Sequence, residues 1–231
     1  MMDKQPELLA PVGSIEAFGV ALKAGADAFY LGTTAFNARM RARNLSLREI
    51  RSMLKMAHRN HKKIYLTLNC LVEPDEFPRL KKICDFCLVF GIDGIIIQDL
   101  GLMRFLHEFY PSIPLHASTQ MLAYNPESHQ ILNRYGVTRA ILPRELSLHE
   151  IRYLAERSPL ELEIFIHGAM CFAFSGGCLF SHFLFNESGN RGLCRQVCRF
   201  NFNRRGRPYY PFAMKDLNTS AIFDQIRQIP L

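Results

Sequence analysis

The chain has 231 residues, a hydrophobic content of 48% and a formal net charge of +7. This length suits one substantial domain with its own core. No apolar run reaches the roughly 18 residues that a membrane-spanning helix needs, and the N-terminal segment lacks the basic and apolar regions of a signal peptide. We therefore expect a cytoplasmic protein without membrane contact, whose seven cysteines are not paired as structural disulfides.

Short apolar runs alternate with helical segments along the chain. The runs cover residues 8–12, 28–31, 64–68, 94–97, 115–117, 140–142 and 162–166. Each is continuous rather than alternating, which is typical of a buried parallel strand. Two of the intervening helices begin with capping boxes, Ser46 with Glu49 and Ser147 with Glu150. Repeated strand–helix units give either a (βα)8 barrel or a doubly wound sheet.

Polar residues that directly follow the strands favour the barrel. They are Gly13, Ser14, Asn69, Gln98, Asp99, His116, residues 118–120, Arg144, Glu145 and His167. A barrel brings the C-terminal ends of its strands to one rim, whereas an open sheet spreads them along an edge. We therefore predict an α/β fold, a TIM-type (βα)8-like barrel that is incomplete because only seven strands are clear.

The chain divides into three segments. Residues 1–168 are predicted to form the (βα)7 barrel portion, and residues 169–208 a cysteine- and arginine-rich loop segment on the barrel rim. Residues 209–231 are predicted to form a C-terminal strand over residues 209–214 and a helix over residues 218–228. An open barrel would expose the edges of its first and last strands, so we expect the chain to be truncated relative to a longer protein.

Cysteines cluster in the segment 169–208. They are Cys171, Cys178, Cys194 and Cys198. A structural zinc site usually has two tight cysteine pairs, and only the second pair here is tight. The looser spacing favours an iron–sulfur cluster, with zinc, or unrelated buried thiols, as the alternatives. Cys70, Cys84 and Cys87 are predicted to pack in the core.

The same segment is strongly basic. It contains Arg191, Arg195, Arg199, Arg204, Arg205 and Arg207, with no acidic residue between the first and the last of them. Phe200, Phe202, Tyr209 and Tyr210 are interleaved with these arginines. Guanidinium groups bind phosphates and aromatic rings stack on unpaired bases, so the strip is predicted to bind RNA. The alternative is a solvated loop whose arginines pair with acidic residues of the barrel.

The predicted rim also carries residues suited to a small anion. Arginines that follow the second strand, together with Arg144, could bind a carboxylate or a phosphate. The predicted ligand-binding residues are Arg39, Arg41, Arg43, Asn69 and Gln120. The candidate catalytic residues are His116, His167 and Arg144, because strand-end residues at this rim form the active sites of barrel enzymes.

Several segments of the sequence resemble the peptidase U32 family. They are Glu7-Leu-Leu-Ala-Pro-Val-Gly13, Gly25-Ala-Asp-Ala-Phe-Tyr-Leu-Gly32, Leu115-His-Ala-Ser-Thr-Gln120, His167-Gly-Ala-Met-Cys171 and Asn190-Arg-Gly-Leu-Cys194. The family is named for collagenase-like peptidases. Its better understood members hydroxylate RNA, making 5-hydroxycytidine in 23S ribosomal RNA or 5-hydroxyuridine in transfer RNA. The context of these motifs is closer to the ribosomal RNA branch.

The resemblance implies a cofactor and a co-substrate. It implies that the four clustered cysteines hold a 4Fe-4S cluster and that a prephenate-type metabolite supplies the hydroxyl group. In some relatives the fourth cysteine lies at the position of Asn218, so Cys198 is the candidate here. The leading hypothesis is therefore an iron–sulfur-dependent enzyme that hydroxylates C5 of a pyrimidine in ribosomal or transfer RNA. The alternatives are a collagenase-like peptidase and a non-catalytic, cluster-binding fragment or accessory subunit.

Overall fold

The structure is a computed structural model that describes residues 6–231. Within these residues seven parallel strands form one sheet, and strands that are adjacent in the sequence are also neighbours in the sheet. The strands are β1 Leu9–Pro11, β2 Ala28–Gly32, β3 Lys63–Leu68, β4 Gly94–Ile97, β5 Leu115–Ala117, β6 Val137–Ile141 and β7 Glu161–Glu163. A doubly wound sheet would reverse its strand order part-way across. The predicted incomplete barrel with seven strands is confirmed.

Helices connect the strands on the outside of the sheet. They are α1 Ile15–Lys23, α2 Leu47–Arg59, α3 Phe77–Phe90, α4 Leu100–Phe109, α5 Pro126–Arg134 and α6 Leu148–Ala155. Both predicted capping boxes are formed, at Ser46 before α2 and at Ser147 before α6. Each serine hydroxyl accepts a backbone N–H that would otherwise have no partner in the first helical turn. None of the helices in the described part of the chain is long and apolar enough to cross a membrane.

The core has two layers. The larger layer packs the helices against the outer face of the sheet and includes Cys70, Cys84 and Cys87, as predicted. Burial raises the pKa of Cys70 and of Cys84 to about 12, so these thiols stay protonated and unreactive. The smaller layer fills the barrel interior with Ala28, Tyr65, Ile96 and Ile141. This inner layer separates one end of the barrel from the other.

An ion-pair network crosses the barrel below the inner layer. Arg139 on β6 contacts the carboxylates of Glu7 at 2.8 Å, Glu161 at 3.0 Å and Glu163 at 3.5 Å. Lys63 adds a contact of 3.0 Å to Glu7, and the Tyr65 hydroxyl donates to the same carboxylate at 2.8 Å. Because Glu7 lies just before β1, the network connects the start of the first strand with the last two strands of the open sheet.

The chain after β7 forms small elements on the rim. They are β8 His167–Gly168, α7 Phe180–Phe185, β9 Phe202–Arg204, β10 Arg207–Tyr209, β11 Leu217–Asn218 and α8 Phe223–Arg227. β9 and β10 form an antiparallel hairpin, and β11 pairs with β8. The predicted strand over residues 209–214 is therefore wrong, because β10 ends at Tyr209 and pairs with β9. Pro211 follows, and a proline cannot donate to a continuing ladder. The predicted helix over residues 218–228 is shorter, since β11 occupies its first residue.

Candidate functional site

A cavity of about 510 Å³ lies at the C-terminal ends of the strands. One wall is the barrel rim and the other is the cysteine-rich segment. The structure brings together here most of the predicted site residues, namely Arg39, Arg41, Arg43, Asn69, Gln120, Arg144, Cys171, Cys178, Cys194, Cys198 and Arg199. Residues up to 160 positions apart in the sequence, Arg39 and Arg199, meet here because parallel strands place their C-terminal ends at one side.

The clustered cysteines are neighbours in this cavity. Burial raises the pKa of Cys198, and the nearby thiols of Cys171, Cys194 and Cys178 raise it further. The backbone N–H of Phe180 donates to the Cys178 sulfur at 3.4 Å, and that of Gln196 donates to the Cys194 sulfur at 3.3 Å. N–H donors to sulfur are one of the means by which proteins tune iron–sulfur clusters. The four thiols therefore lie around one cavity.

The four thiols line one cavity but do not form a compact metal site. Across residues 6–231 no three His, Cys, Asp or Glu side chains lie close enough together to hold a single metal ion. Two of the thiols accept backbone N–H hydrogen bonds.

Ion pairs dock the cysteine-rich segment on the barrel. Glu187 accepts hydrogen bonds from the Arg195 guanidinium at 2.8 Å and from Arg41 on the rim. Hydrogen bonds from these arginines, Arg195 first, lower the pKa of Glu187 to about 2. Arg41 and Arg195 are thus both paired with Glu187, a residue of the cysteine-rich segment itself.

The Arg191–Gly192 turn makes the closest approach to the barrel. Arg191 donates to both carboxylate oxygens of Glu76, at 3.0 and 2.9 Å, and to the Leu71 carbonyl at 3.2 Å. Gly192 has a φ of +80°, and a Cβ atom at this position would lie 2.1 Å from the Asn37 carbonyl oxygen. Only glycine fits without movement of the backbone. The turn therefore sets the distance between the cysteines and the rim.

The basic strip divides into paired and unpaired arginines. Arg199 contacts Asp216 at 3.2 Å, so it joins Arg191 and Arg195 in the paired group. The arginines of the β9–β10 hairpin are Arg204, Arg205 and Arg207, which are exposed. None of these three forms an ion pair in the described structure. The Arg204 guanidinium lies 5.4 Å from the centre of the exposed Tyr209 ring, so the hairpin presents cationic and aromatic groups together.

Two arginines of the cavity also lack acidic partners. Arg39 and Arg144 form no ion pair with any carboxylate of residues 6–231. Arg144 stacks on the Phe165 ring at 3.9 Å, and burial lowers its pKa. Tyr30 on β2 is close to both arginines, and burial raises the pKa of its hydroxyl. Unpaired guanidinium groups beside a hydroxyl donor make this side of the cavity suited to an anion.

Glu163 lines the same cavity and was missed by the sequence analysis. It is the last residue of β7, with 16% of its side chain exposed. Burial raises its pKa to about 7. In the sequence it is a carboxylate in an otherwise apolar run, and the only available signal was that such a residue needs a buried partner. That partner is Arg139, at 3.5 Å.

The structure does not bring His116 or His167 to the cavity. His116 points into the barrel at the level of Tyr65, whose ring centre is 4.6 Å away, and it does not line the cavity. Burial lowers its pKa to about 3, and its Nδ1 atom has no hydrogen-bond partner among the described residues. His167 is exposed and lies outside the cavity. The sheet ends at Glu163, so His167 lies beyond the strand and pairs with Asn218 instead.

Comparison with known proteins places the chain in a family. The model of peptidase family U32 matches residues 13–230. The chain belongs to the peptidase U32 family. It is 37% identical over 210 residues to the 23S rRNA 5-hydroxycytidine C2501 synthase of Escherichia coli K12. It is 34% identical over 200 residues to tRNA hydroxylation protein P of the same organism. The resemblance inferred from the motifs is confirmed.

The U32 chain corresponds to part of these relatives. The first alignment covers 91% of this chain and 30% of the relative, and the second covers 86% and 44%. Among solved structures, the U32 peptidase Mk0906 superposes with a TM-score of 0.66 at 16% sequence identity, covering 93% of this chain and 87% of that one. At this identity the superposition supports the fold alone. The chain thus contains the U32 barrel and its cysteine-rich segment.

Proposed function

We propose that this U32 chain is the catalytic region of an iron–sulfur-dependent RNA hydroxylase that modifies C5 of a pyrimidine in ribosomal or transfer RNA. One observation carries the proposal: a cavity lined by four thiols and two unpaired arginines opens beside a basic, aromatic hairpin. The names of the two E. coli relatives support the reaction class. The location of the site agrees with the C-terminal rim at which barrel enzymes react.

The four cysteines would hold the cluster. They are Cys171, Cys178, Cys194 and Cys198, whose loose spacing in the sequence favours a 4Fe-4S centre over zinc. When bound, the cluster supplies electron-transfer chemistry. The protein keeps the thiols in one place by docking the segment through Arg191 and Glu187.

The unpaired arginines would bind the small co-substrate. Arg39 and Arg144 offer two positive charges that no carboxylate of residues 6–231 neutralises. A prephenate-type metabolite carries two carboxylates, and guanidinium groups bind carboxylates with two parallel hydrogen bonds. Tyr30 is placed to donate a further hydrogen bond to such a ligand. These residues would orient the co-substrate next to the thiols.

The hairpin would bind the RNA. Its exposed arginines, Arg204, Arg205 and Arg207, suit contacts to phosphates, and the exposed Tyr209 and Tyr210 rings suit stacking on unpaired bases. Phe202 joins the hairpin to an aromatic cluster through Phe212, at 5.6 Å. The cluster reaches the cavity at Phe180. RNA held by the hairpin would therefore lie near the cavity.

A collagenase-like peptidase is the alternative within the family. Serine and cysteine peptidases use a nucleophile and a neighbouring base, most often histidine. No histidine of residues 6–231 lines the cavity. The remaining alternative, a non-catalytic cluster-binding subunit, shares the predicted cluster and differs only in lacking the reaction.

The decisive experiment is mass spectrometry of ribosomal and transfer RNA from cells with and without the gene. We expect one hydroxypyrimidine to be lost without the gene and restored by the wild-type gene. Cys194→Ala should fail to restore it, and the purified variant should contain less iron. Cys84→Ala removes a cysteine from the core and is the matched control, which should restore it.

Other outcomes would contradict parts of the proposal. Unchanged hydroxypyrimidine content without the gene would overturn the reaction. Stoichiometric zinc without iron, in protein purified without oxygen, would overturn the cluster. Cleavage of collagen-like peptides that persists in Cys194→Ala would favour the peptidase instead.

A further inference from the structure

Glu163 belongs to a group of carboxylates that outnumber the cations paired with them. Glu7, Glu161 and Glu163 all contact the guanidinium of Arg139, and Lys63 contacts Glu7. If all these groups were ionised, three negative charges would face two positive charges. One of the carboxylates is therefore expected to hold a proton in a buried setting.

The distances identify Glu163 as that carboxylate. Arg139 donates to Glu7 at 2.8 Å and to Glu161 at 3.0 and 3.2 Å, but its contact with Glu163 is 3.5 Å. The Arg139 Nη1 atom that reaches Glu163 is also the donor to Glu7. Glu161 has 58% of its side chain exposed and is hydrated, whereas Glu163 has 16% exposed. Burial accordingly raises the pKa of Glu163 to about 7.

Glu163 faces the anion-binding side of the cavity. The charges of Arg39, Arg144 and Glu163 all act on the Tyr30 hydroxyl. All four residues line the cavity. An ionised Glu163 would repel a bound anion, whereas a protonated Glu163 could donate a hydrogen bond to it.

We propose that Glu163 couples ligand binding to proton uptake: a small dicarboxylate binds at Arg39 and Arg144 with Glu163 in its neutral form. This inference rests on the proposal that the cavity takes a small anionic co-substrate, and it adds a residue and a proton to that site. No covalent bond changes. The proton comes from solvent. Glu163 acts as a positioning and specificity-determining residue, and its protonation makes the affinity for the anion higher below pH 7 than above it.

The charged and titratable groups of the network and of the facing cavity wall come from several elements. They are Arg139 on β6, Glu161 on β7, Glu7 before β1, Tyr30 on β2, Lys63 and Tyr65 on β3, His116 on β5, and Arg39 and Arg144 across the cavity. The positive charges of Arg39 and Arg144 oppose protonation of Glu163 in the free protein, and a bound dianion would offset them. Burial lowers the pKa of His116 to about 3, and burial raises the pKa of Tyr30 and of Tyr65. These three groups therefore stay neutral near pH 7. Glu163 is the group of this set whose charge changes there.

Binding of a dicarboxylate and protonation of Glu163 favour each other. A dianion next to Glu163 raises the pKa of this carboxyl above its value in the free protein. Binding then takes up protons, and affinity is highest below the pKa of the free protein. Affinity falls as pH rises from the free to the bound pKa, by about tenfold per pH unit.

The test is isothermal titration calorimetry of the 231-residue chain with malonate as the dicarboxylate probe. Titrations at about pH 6, 7 and 8, each in two buffers of different ionisation enthalpy, measure affinity and proton uptake together. We expect affinity to fall by about fivefold from pH 7 to pH 8 with measurable proton uptake, because the neutral fraction of Glu163 in the free protein falls from about one half to roughly one tenth. In Glu163→Gln the affinity should become independent of pH over this range, and the proton uptake should vanish.

Glu145→Gln is the matched control. Glu145 is an exposed carboxylate next to Arg144 in the chain and does not line the cavity, so this variant should keep the wild-type pH dependence. Proton uptake that persists in Glu163→Gln, wild-type binding without proton uptake, or no malonate binding by the wild type would each overturn the inference. The wild-type titration alone decides it if the variant does not fold. RNA hydroxylation, measured separately in cells, tests the proposed function. A negative result in the malonate titration therefore does not overturn the proposed function, and a negative result in cells does not overturn the role of Glu163.

Discussion

At the scale of single residues, burial and pairing give similar side chains different roles. Arg139 and Arg144 are both largely buried. Arg139 contacts three carboxylates, whereas Arg144 stacks on Phe165 and forms no ion pair with any carboxylate of residues 6–231. His116 is neutral inside the barrel, whereas Glu163 changes its charge near neutral pH. The chemistry available to the cavity therefore depends on these surroundings more than on residue type.

Glu163→Gln should stabilise the protein at high pH. The pKa of Glu163 is about 7 in the folded protein and 4.5 in an ordinary setting, so the folded state binds the extra proton between these values. The stability contributed by this proton is complete below pH 4.5 and is lost as pH rises through 7. We expect the variant to gain about 1–3 kcal/mol in the free energy of unfolding at pH 8, and much less at pH 5.

Urea unfolding at both pH values measures this difference. Glu145→Gln is again the control, and it should change the free energy of unfolding little at either pH. An equal gain at pH 5 and pH 8 would show that the gain comes from packing and not from the proton.

At the scale of elements, the cysteine-rich segment 169–208 combines docked and projecting parts. The stretch around Arg191 and Gly192 is pressed against the loops after β2 and β3, and Glu187 is fixed by arginines from both sides. The β9–β10 hairpin, in contrast, presents unpaired arginines and exposed rings. The docked stretch therefore holds the cysteines at the rim, and the projecting hairpin is free to contact a partner.

Gly192→Ala should displace the cysteine-rich segment. The added Cβ would lie 2.1 Å from the Asn37 carbonyl oxygen, so the backbone has to move. Gly25→Ala is the matched control, because Gly25 also has a positive φ, +93°, but has open space around it. Both variants lose roughly 1 kcal/mol from backbone strain. Only Gly192→Ala should also bind less iron and be cleaved faster by protease within residues 169–208, and equal iron contents would contradict this role for Gly192.

Removal of the hairpin arginines should weaken RNA binding. We expect Arg204→Ala/Arg205→Ala/Arg207→Ala to bind a single-stranded RNA at least about tenfold more weakly, with a shallower dependence on salt because fewer phosphates are contacted. Fluorescence anisotropy with a labelled oligonucleotide measures both quantities. The control, Arg48→Ala/Lys55→Ala/Arg59→Ala, removes the same charge from exposed positions of α2 and should bind nearly as the wild type. Equal losses in the two variants would indicate nonspecific attraction by net charge alone.

At the scale of the whole molecule, the open sheet is held by contacts through its interior. β1 and β7 are the two edges of the sheet. Arg139 connects the residue before β1 with β7 through Glu7 and Glu161. Glu163 belongs to this network and also lines the cavity, so the contacts that hold the open sheet reach the ligand-binding side of the barrel.

Arg139→Met should therefore be strongly destabilising. It leaves Glu7 and Glu163 without their main partner in a buried setting, and loss of one member of such a network costs about 3–5 kcal/mol. Arg157→Ala is the control, because its ion pair with Glu156 is exposed on both sides and is worth less than about 1 kcal/mol. Urea unfolding of the two variants gives both values. Similar losses would show that the interior network does not hold the open barrel together.

Local patterns in the sequence predict the main elements, and its motifs predict the family. Continuous apolar runs and serine capping boxes are local patterns, so β3, α2 and α6 follow from them directly. Motif segments identified the U32 family, and spacing grouped the four cysteines into one site. Burial of Cys84 and Cys87 followed from their place on an apolar helix face.

Only the tertiary structure decided which charged groups are available. Arg191 and Arg204 look alike in the sequence, but Glu76, which neutralises Arg191, is 115 residues away. The level of His116 in the barrel depends on its register with β4 and β6, and local patterns do not encode that register. The charge of Glu163 depends on one arginine that is shared among three carboxylates, two on β7 and one just before β1. Pairing and burial are properties of residues that meet in space, so the docked arginines, the free hairpin and the proton of Glu163 emerge only once the chain is folded.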